Sequence, residues 1–220
     1  MTAAILRLHT PTDLAELSRT WHAAGLKIGL VPTMGALHHG HLSLIDRIRP
    51  HVDKVVVSIF VNPTQFGAGE DFEQYPRNIE RDMELLAGAG ADAVYTPTVG
   101  HVYQSGFETS IEPGAIAARM EGAHRPGHFN GVATVVVKLI NQAQADIAIF
   151  GEKDYQQLAV IRQTVRDLDV PVSIMGAPIA REPDGLAASS RNMYLSTEQR
   201  LLAGQINHIM LKIIGELHKG

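Results

Sequence analysis

The stretch "KVVVSIFV", Lys54 to Val61, is a nearly unbroken run of β-branched and apolar residues. A strand with one wet face alternates apolar and polar positions, so a continuous run suits a strand covered on both faces. Such a strand needs helices above and below it, and the flanking pattern supplies them. Thr12 to Ala24 has helical spacing through Leu14, Leu17 and Trp21, with Gly25 as a stop. His41 to Arg49 repeats that period through Leu42, Ile45 and Ile48, Arg77 to Ala87 through Ile79, Met83 and Leu86, and Gly131 to Ala143 through Val132, Val135, Val136, Leu139 and Ile140. Asp154 to Leu168 and Thr197 to Leu217 complete the predicted helices. Between them lie four further apolar segments, Lys27 to Pro32, Asp92 to Pro97, Asp146 to Gly151 and Pro171 to Pro178.

Strands that alternate with helices predict right-handed βαβ units, an α/β fold with a parallel sheet sandwiched by helices. Ligands of such sheets bind beyond the carboxyl ends of the strands. That places the segments 33–41, 62–66 and 151–157 at the candidate site. A chain of 220 residues is long enough for one large domain with an appendage. The expected division is a nucleotide-binding unit over 1–180 and a turn-rich start of a second unit over 181–220.

Bulk properties exclude several classes. A hydrophobic content of 45% with 19% charged residues is globular rather than disordered. A net charge of −4 leaves no basic footprint for nucleic acid. The chain has no cysteine, which removes disulfides, thiolate metal sites and a cysteine nucleophile and suits a reducing cytosol. His9, Asp13, Glu16 and Arg19 break any signal-like apolar run, and no stretch approaches the roughly 18 apolar residues of a membrane span. The expectation is a cytoplasmic protein that binds neither membrane nor nucleic acid.

The segment "GLVPTMGALHHGHLSLI" (29–45) passes from strand to helix through two glycines and three histidines. Three readings compete. His38 and His41, three apart, could share a metal, but a catalytic zinc takes three protein ligands and no "HExxH" pattern or acidic partner lies nearby. A helix N-terminus with free N–H groups, glycines and imidazole donors suits phosphate better, although neither G-x-x-x-x-G-K-[ST] nor G-x-G-x-x-G is present. An ordinary solvated turn is the third. For Asp154 and Gln157 the spacing also spells a capping box, Asp-x-x-Gln. Asn62-Pro63 reads as a turn after a strand.

The motifs "PTMGALHHGH", "SIFVNPTQF", "RPGHFNGVATVV", "FGEKDYQQL" and "DGLAASSRN" occur in that order between about Val31 and Arg200. In this combination the chain resembles the pantothenate synthetase (pantoate–β-alanine ligase) family of the nucleotidyltransferase superfamily. The resemblance implies a Rossmann-like doubly wound sheet and a homodimer. It implies ATP-dependent joining of pantoate and β-alanine through a pantoyl adenylate, with AMP and pyrophosphate released. ATP arrives as a substrate with Mg²⁺, and no tightly bound organic cofactor is expected.

The same resemblance distributes the residues. His41, His38 and Lys153 would be catalytic. Met34, Gly35, Ala36, Leu37, His38, His39, Gly40 and His41, then Gly151, Glu152, Lys153 and Asp154, then Ala188, Ser189, Ser190 and Arg191 would surround ATP. His39 falls at a position of varying type and is expected to be solvated. Gln65, Gln157, Met34, Asn62 and Arg125 would bind pantoate or β-alanine, with Met34, Phe60 and Phe66 as apolar wall. Arg125 and His128 read equally as substrate contacts or as a loop salt bridge. Asp82 matches a magnesium contact loosely, against the simpler reading of a solvated helix face. Family members carry a further C-terminal lid domain, so a short, truncated appendage is expected here.

Overall fold

The computed structural model describes residues 5–218; the outer ends of the two expected units, 1–4 and 219–220, lie outside it. Six strands form one parallel sheet: β1 Leu6–Leu8, β2 Ile28–Thr33, β3 Lys54–Ile59, β4 Ala93–Tyr95, β5 Ile147–Gly151 and β6 Ser173–Ala177. The helices are α1 Pro11–Ala23, α2 His39–Ile48, α3 Ile79–Gly88, α4 Val99–Val102, α5 Glu121–His124, α6 His128–Ala143, α7 Tyr155–Asp167 and α8 Thr197–Leu217. All five predicted strands and all six predicted helices are present, shifted by a few residues at their ends. The edge strand β1 and the one-turn helices α4 and α5 were not anticipated. "LRL" is too short to show a period, and β1 exists because it pairs with β4 across Leu6–Ala93 and Leu8–Tyr95.

The strand order is β1-β4-β3-β2-β5-β6. From β2 the chain winds one way through β3 and β4, and from β5 it winds the other way to β6. Right-handed crossovers therefore put α2 and α3 on one face and α1, α6 and α7 on the opposite face. The two cores follow this division. Val31, Val55 and Val57 meet Leu44, Ile45, Ile48 and Leu86, while Leu30 and Val56 meet Leu14, Val132, Val136 and Ile161. The run "KVVVSIFV" is covered on both faces as expected, although pairing stops at Ile59.

Local chemistry sets the helix boundaries. Thr10 caps α1 in a reciprocal box with Asp13, and Ser196 caps α8 with Gln199. The expected box of Asp154 with Gln157 does not form. Asp154 makes no side-chain cap on α7 and instead accepts from the Lys153 ammonium at 3.0 Å. Residues 152–154 form a tight 3₁₀ turn before α7.

The winding direction reverses between β2 and β5, whose register covers only Gly29–Ile147 and Leu30–Ala148. Beyond those pairs the strands part while β2 continues beside β3 to Thr33–Ile59. A crevice opens at the carboxyl ends, the topological switch point of a doubly wound sheet. One wall is α6, whose first half is docked against the 3₁₀ turn Pro63–Gln65. Gly131 permits that approach, since a Cβ there would stand 2.4 Å from the Thr64 carbonyl oxygen. Gly131→Ala is expected to destabilise the protein by about 1–3 kcal/mol through overpacking. Gly88→Ala, at the open end of α3 where an added Cβ meets nothing within 4 Å, serves as its control and should be neutral or stabilising. Thermal melts of the two variants compare these outcomes directly.

Candidate active site at the switch point

A cavity at the crevice is lined by residues from every predicted segment. From the β2–α2 turn come Met34, His38, Gly40 and His41; from the β3 turn, Asn62 and Gln65; from the end of β5, Gly151, Lys153, Asp154 and Gln157; and from the later segment, Ala188 to Arg191. Phe60, Tyr75 and the α6 stripe Val132, Val135, Val136 and Leu139 add apolar wall. The wall residues on α6 were read in the sequence only as core. Their signal was a helix buried nearly all round, one side against the sheet and the other against the cavity. Nothing in the sequence pointed to Tyr75.

Two histidines dominate the polar side. His38 is the N-cap of α2, and its Nδ1 accepts the Gly40 N–H at 3.1 Å. The His41 Nδ1 accepts the His38 N–H at 3.3 Å. A backbone N–H can only donate, so Nδ1 is unprotonated on both rings and the proton of each neutral imidazole sits on Nε2, the opposite edge. The ring centroids lie 4.1 Å apart. Gly40 makes this folding possible, because a Cβ would stand 2.9 Å from the His38 ring. Burial first, then the neighbouring His38 and Lys153, lowers the His41 pKa from 6.5 to about 3. Burial, then His39 and Lys153, lowers His38 from 6.5 to about 4. At neutral pH the site therefore presents two uncharged Nε2–H donors beside one ammonium.

The amide side is equally ordered. The Gln65 Oε1 accepts from Asn62 Nδ2 at 3.1 Å, and its Nε2 donates to the Met34 sulfur at 3.3 Å. Asn62 itself is 1% exposed. Its Nδ2 also donates to the Gly131 carbonyl, while its Oδ1 accepts from Tyr103, Thr64 Oγ1 and the Thr64 N–H. Both ends of its amide are engaged, and through Nδ2 it holds the Gln65 side chain. Gln157 lines the cavity from α7.

Several expected contacts are placed elsewhere. Arg125 does not line the cavity: it makes the loop salt bridge, joining Glu70 and Glu121, and donates to the Gln65 carbonyl. The His128 Nδ1 reaches the same carbonyl at 2.7 Å, and both residues thus brace Gln65 from behind. Phe66 packs on Phe72 and Tyr75 instead of forming the wall. Gly35, Ala36 and Leu37 belong to the turn but do not line the histidine cavity, and Leu37 enters the core. His39 is exposed, 3.9 Å from Glu182, and Glu152 stands outside the lining. Asp82 is 2% exposed, not solvated, and both its oxygens accept from the turn, Oδ2 from Ala36 N–H at 2.9 Å and Oδ1 from Leu37 N–H at 2.8 Å. It borders a second cavity behind the turn rather than the histidine cavity. Among the described residues no cluster of three His, Cys, Asp or Glu could hold a metal.

The later segment closes the cavity's outer edge. The Ser190 hydroxyl donates to the Ala36 carbonyl at 3.0 Å. The Arg191 guanidinium makes two bonds of 2.8 Å to Asp71, to which the Tyr194 hydroxyl also donates. That pairing pulls the Asp71 carboxyl below its usual range and raises Arg191. Beyond it α8 exposes Leu201, Leu202, Ile206, Ile209, Met210 and Ile213.

Known proteins resemble this chain over most of its length. Residues 7–219 match the family model described as pantoate-beta-alanine ligase. A pantothenate synthetase of Alkalilimnicola ehrlichii is 54% identical over 199 residues, 90% of this chain and 70% of that protein. One of Sphingopyxis alaskensis is 58% identical over 194 residues, 87% of this chain and 70% of that protein. The crystal structure of the pantothenate synthetase of Thermus thermophilus superposes with a TM-score of 0.88 at 47% identity, covering 96% of this chain and 76% of that one. The pantoate-beta-alanine ligase of Francisella tularensis, complexed with beta-gamma ATP and beta-alanine, gives 0.89 at 39% identity, covering 94% of this chain and 79% of that one. With a family match over residues 7–219, identities of 54% and 58% to these relatives and a shared fold, the chain belongs to the pantoate–β-alanine ligase family.

Proposed function

We propose that this protein condenses pantoate with β-alanine at the expense of ATP, through a pantoyl-adenylate intermediate. One observation carries the reading. A single cavity joins an anion-binding side (His38, His41, Lys153, Arg191) to an amide and apolar side (Gln65, Gln157, Met34, Phe60, Val136). A triphosphate suits the first side, and a small hydroxy acid with branched carbon suits the second. The Francisella relative, complexed with beta-gamma ATP and beta-alanine, supports the triphosphate and the amine substrate.

In the first step a pantoate carboxylate oxygen attacks the α-phosphorus of ATP. The new P–O bond forms as the bond to the bridging oxygen breaks, and that electron pair leaves with pyrophosphate. The Nε2–H groups of His41 and His38 and the Lys153 ammonium meet the charge that develops on the leaving oxygens. Lys153 must exchange Asp154 for phosphate, and Arg191 must exchange Asp71, so both cations are held ready by carboxylates that ligand replaces. In the second step the amine of β-alanine attacks the acyl carbon. The C–O bond to AMP breaks, an amide forms, and the amine proton passes to solvent. Neither step uses a protein nucleophile; positioning and electrostatics do the work. Magnesium enters as part of the ATP substrate. The homodimer and the cytoplasmic setting implied by the resemblance belong to the same proposal, as does the reading of 181–220 as the beginning of a lid domain. None of the helices among the described residues is long and apolar enough to cross a membrane.

Incubation with ATP, magnesium and pantoate, with and without β-alanine, followed by mass spectrometry of the products, tests the reaction. AMP and pantothenate should appear together only when β-alanine is present; pyrophosphate release with no amide product in the presence of β-alanine would refute the ligase reading. His41→Ala should lower adenylate formation by about 10²–10³-fold with the melting temperature retained. Gln65→Ala should raise the KM for pantoate much more than that for ATP. The depressed pKa values add a pH test. Both imidazoles resist protonation in the folded state, so their contribution to stability is complete above pH 6.5 and falls away as pH drops towards about 4 for His38 and about 3 for His41. Proton NMR of the ring Cε1–H signals should find neither titrating between pH 7.5 and 5.5. Binding of MgATP should move both midpoints upward, because the triphosphate favours the charged imidazoles.

A further inference from the structure

We infer that Asp82 is the positioning residue of the adenylation step: its carboxylate holds the histidine turn in the conformation that aims His38 and His41 at the phosphates. The inference rests on the proposed ligase reading and names a residue that acts through others. Asp82 lies in the first turn of α3, on the far side of the turn from the cavity. No salt bridge neutralises it among the described residues, and a buried carboxylate without one is retained only when hydrogen bonds satisfy it. The two that do so come from consecutive residues of the turn, the N–H groups of Ala36 and Leu37.

Those N–H groups converge because the backbone is left-handed at Gly35 (φ 83°) and Ala36 (φ 50°). Successive N–H groups in such a conformation make a concave anion nest, of the kind that binds phosphate elsewhere. Here the chain fills the nest with its own carboxylate, on the side away from the cavity. For Ala36 a positive φ is costly, and the two hydrogen bonds offset that cost. Gly35 fits the same purpose, since a Cβ there would lie 3.1 Å from Asp82 Oδ2 and 3.0 Å from Ile59. Once the turn is set, Leu37 drops into the core and His38 caps α2, which directs both Nδ1 atoms to backbone donors. Both oxygens of Asp82 are thereby engaged with the turn.

Asp82→Asn preserves size but replaces one acceptor by an amide donor facing a backbone N–H. We expect kcat for adenylation to fall about ten- to a hundredfold, as for a displacement near 1 Å. The KM for pantoate should change little, and the magnesium requirement should be unchanged. Aminolysis of supplied pantoyl adenylate by β-alanine should be preserved. The ¹⁵N ring signals of His38 and His41 should move away from the Nε2–H tautomer pattern. Gly35→Ala, which crowds the carboxylate without removing it, should reproduce the histidine shifts, and it serves as the second variant should Asp82→Asn fail to fold. Glu84→Gln, an exposed carboxylate on the same helix, should behave as the unaltered protein. Unaltered histidine signals with a normal kcat, or a defect confined to a raised magnesium requirement, would overturn the assignment. A wild-type protein without turnover would overturn the ligase reading alone, because the histidine signals report on Asp82 without any substrate.

Discussion

The parting of β2 and β5 after two paired residues creates the space in which everything else is arranged. Two neighbouring parallel strands normally continue side by side, but here the winding direction reverses between them, so the connections on their two sides leave to opposite faces. The turn after β2 and the turn after β5 therefore face one another across a crevice, and α6 and residues 188–191 supply its other walls. A rigid sheet fixes the distance between the imidazoles on one lip and Lys153 on the other, which gives a loop-built site the precision of the strands beneath it.

Electrostatics gives this crevice a consistent character. His38 and His41 are uncharged donors because burial and Lys153 oppose a further positive charge. The mobile cations, by contrast, are each kept in place by a carboxylate, Asp154 for Lys153 and Asp71 for Arg191. A ligand of high negative charge would oppose both conditions together, competing with the carboxylates for the cations and raising the imidazole pKa values. The free site is thus stable without ligand yet poised to respond to an anion. The opposite wall behaves differently. Gln65 is held by Asn62 at its side chain and by His128 and Arg125 at its carbonyl, so the amide side is ordered without any ligand.

Much of this was legible in the residues. Apolar runs such as Lys54 to Val61 report burial on both faces, and helices with a 3.6-residue stripe report their own packing direction, so the alternating α/β order could be read directly. The five motifs pointed to His38, His41, Gln65, Lys153, Gln157 and Ser189 to Arg191, all of which share the one cavity. What stayed open or was misplaced has a common cause. Asp82, Arg125, Asn62 and Phe66 are of residue types that bind ligands as readily as they build scaffolds, and only their partners separate the two. Asp154 illustrates the same limit at short range: its spacing to Gln157 spells a cap, but a neighbouring ammonium claimed the carboxylate first. β1 was invisible because three residues at a sheet edge carry no period, and their pairing depends on a β4 partner some 87 positions away in the chain.

The amino-acid sequence by itself determined the succession of strands and helices, the family, and which side chains could carry the chemistry, because these depend on local periodicity and on residue type. The tertiary structure alone decided which nitrogen of each imidazole bears the proton, which polar groups are engaged by others, and which carboxylate supports the turn from beneath. Those outcomes depend on hydrogen-bond partners far apart in the chain, such as Asp82 with Ala36 and Arg125 with Glu70, and no spacing rule encodes a pairing that arises only when the sheet brings the segments together.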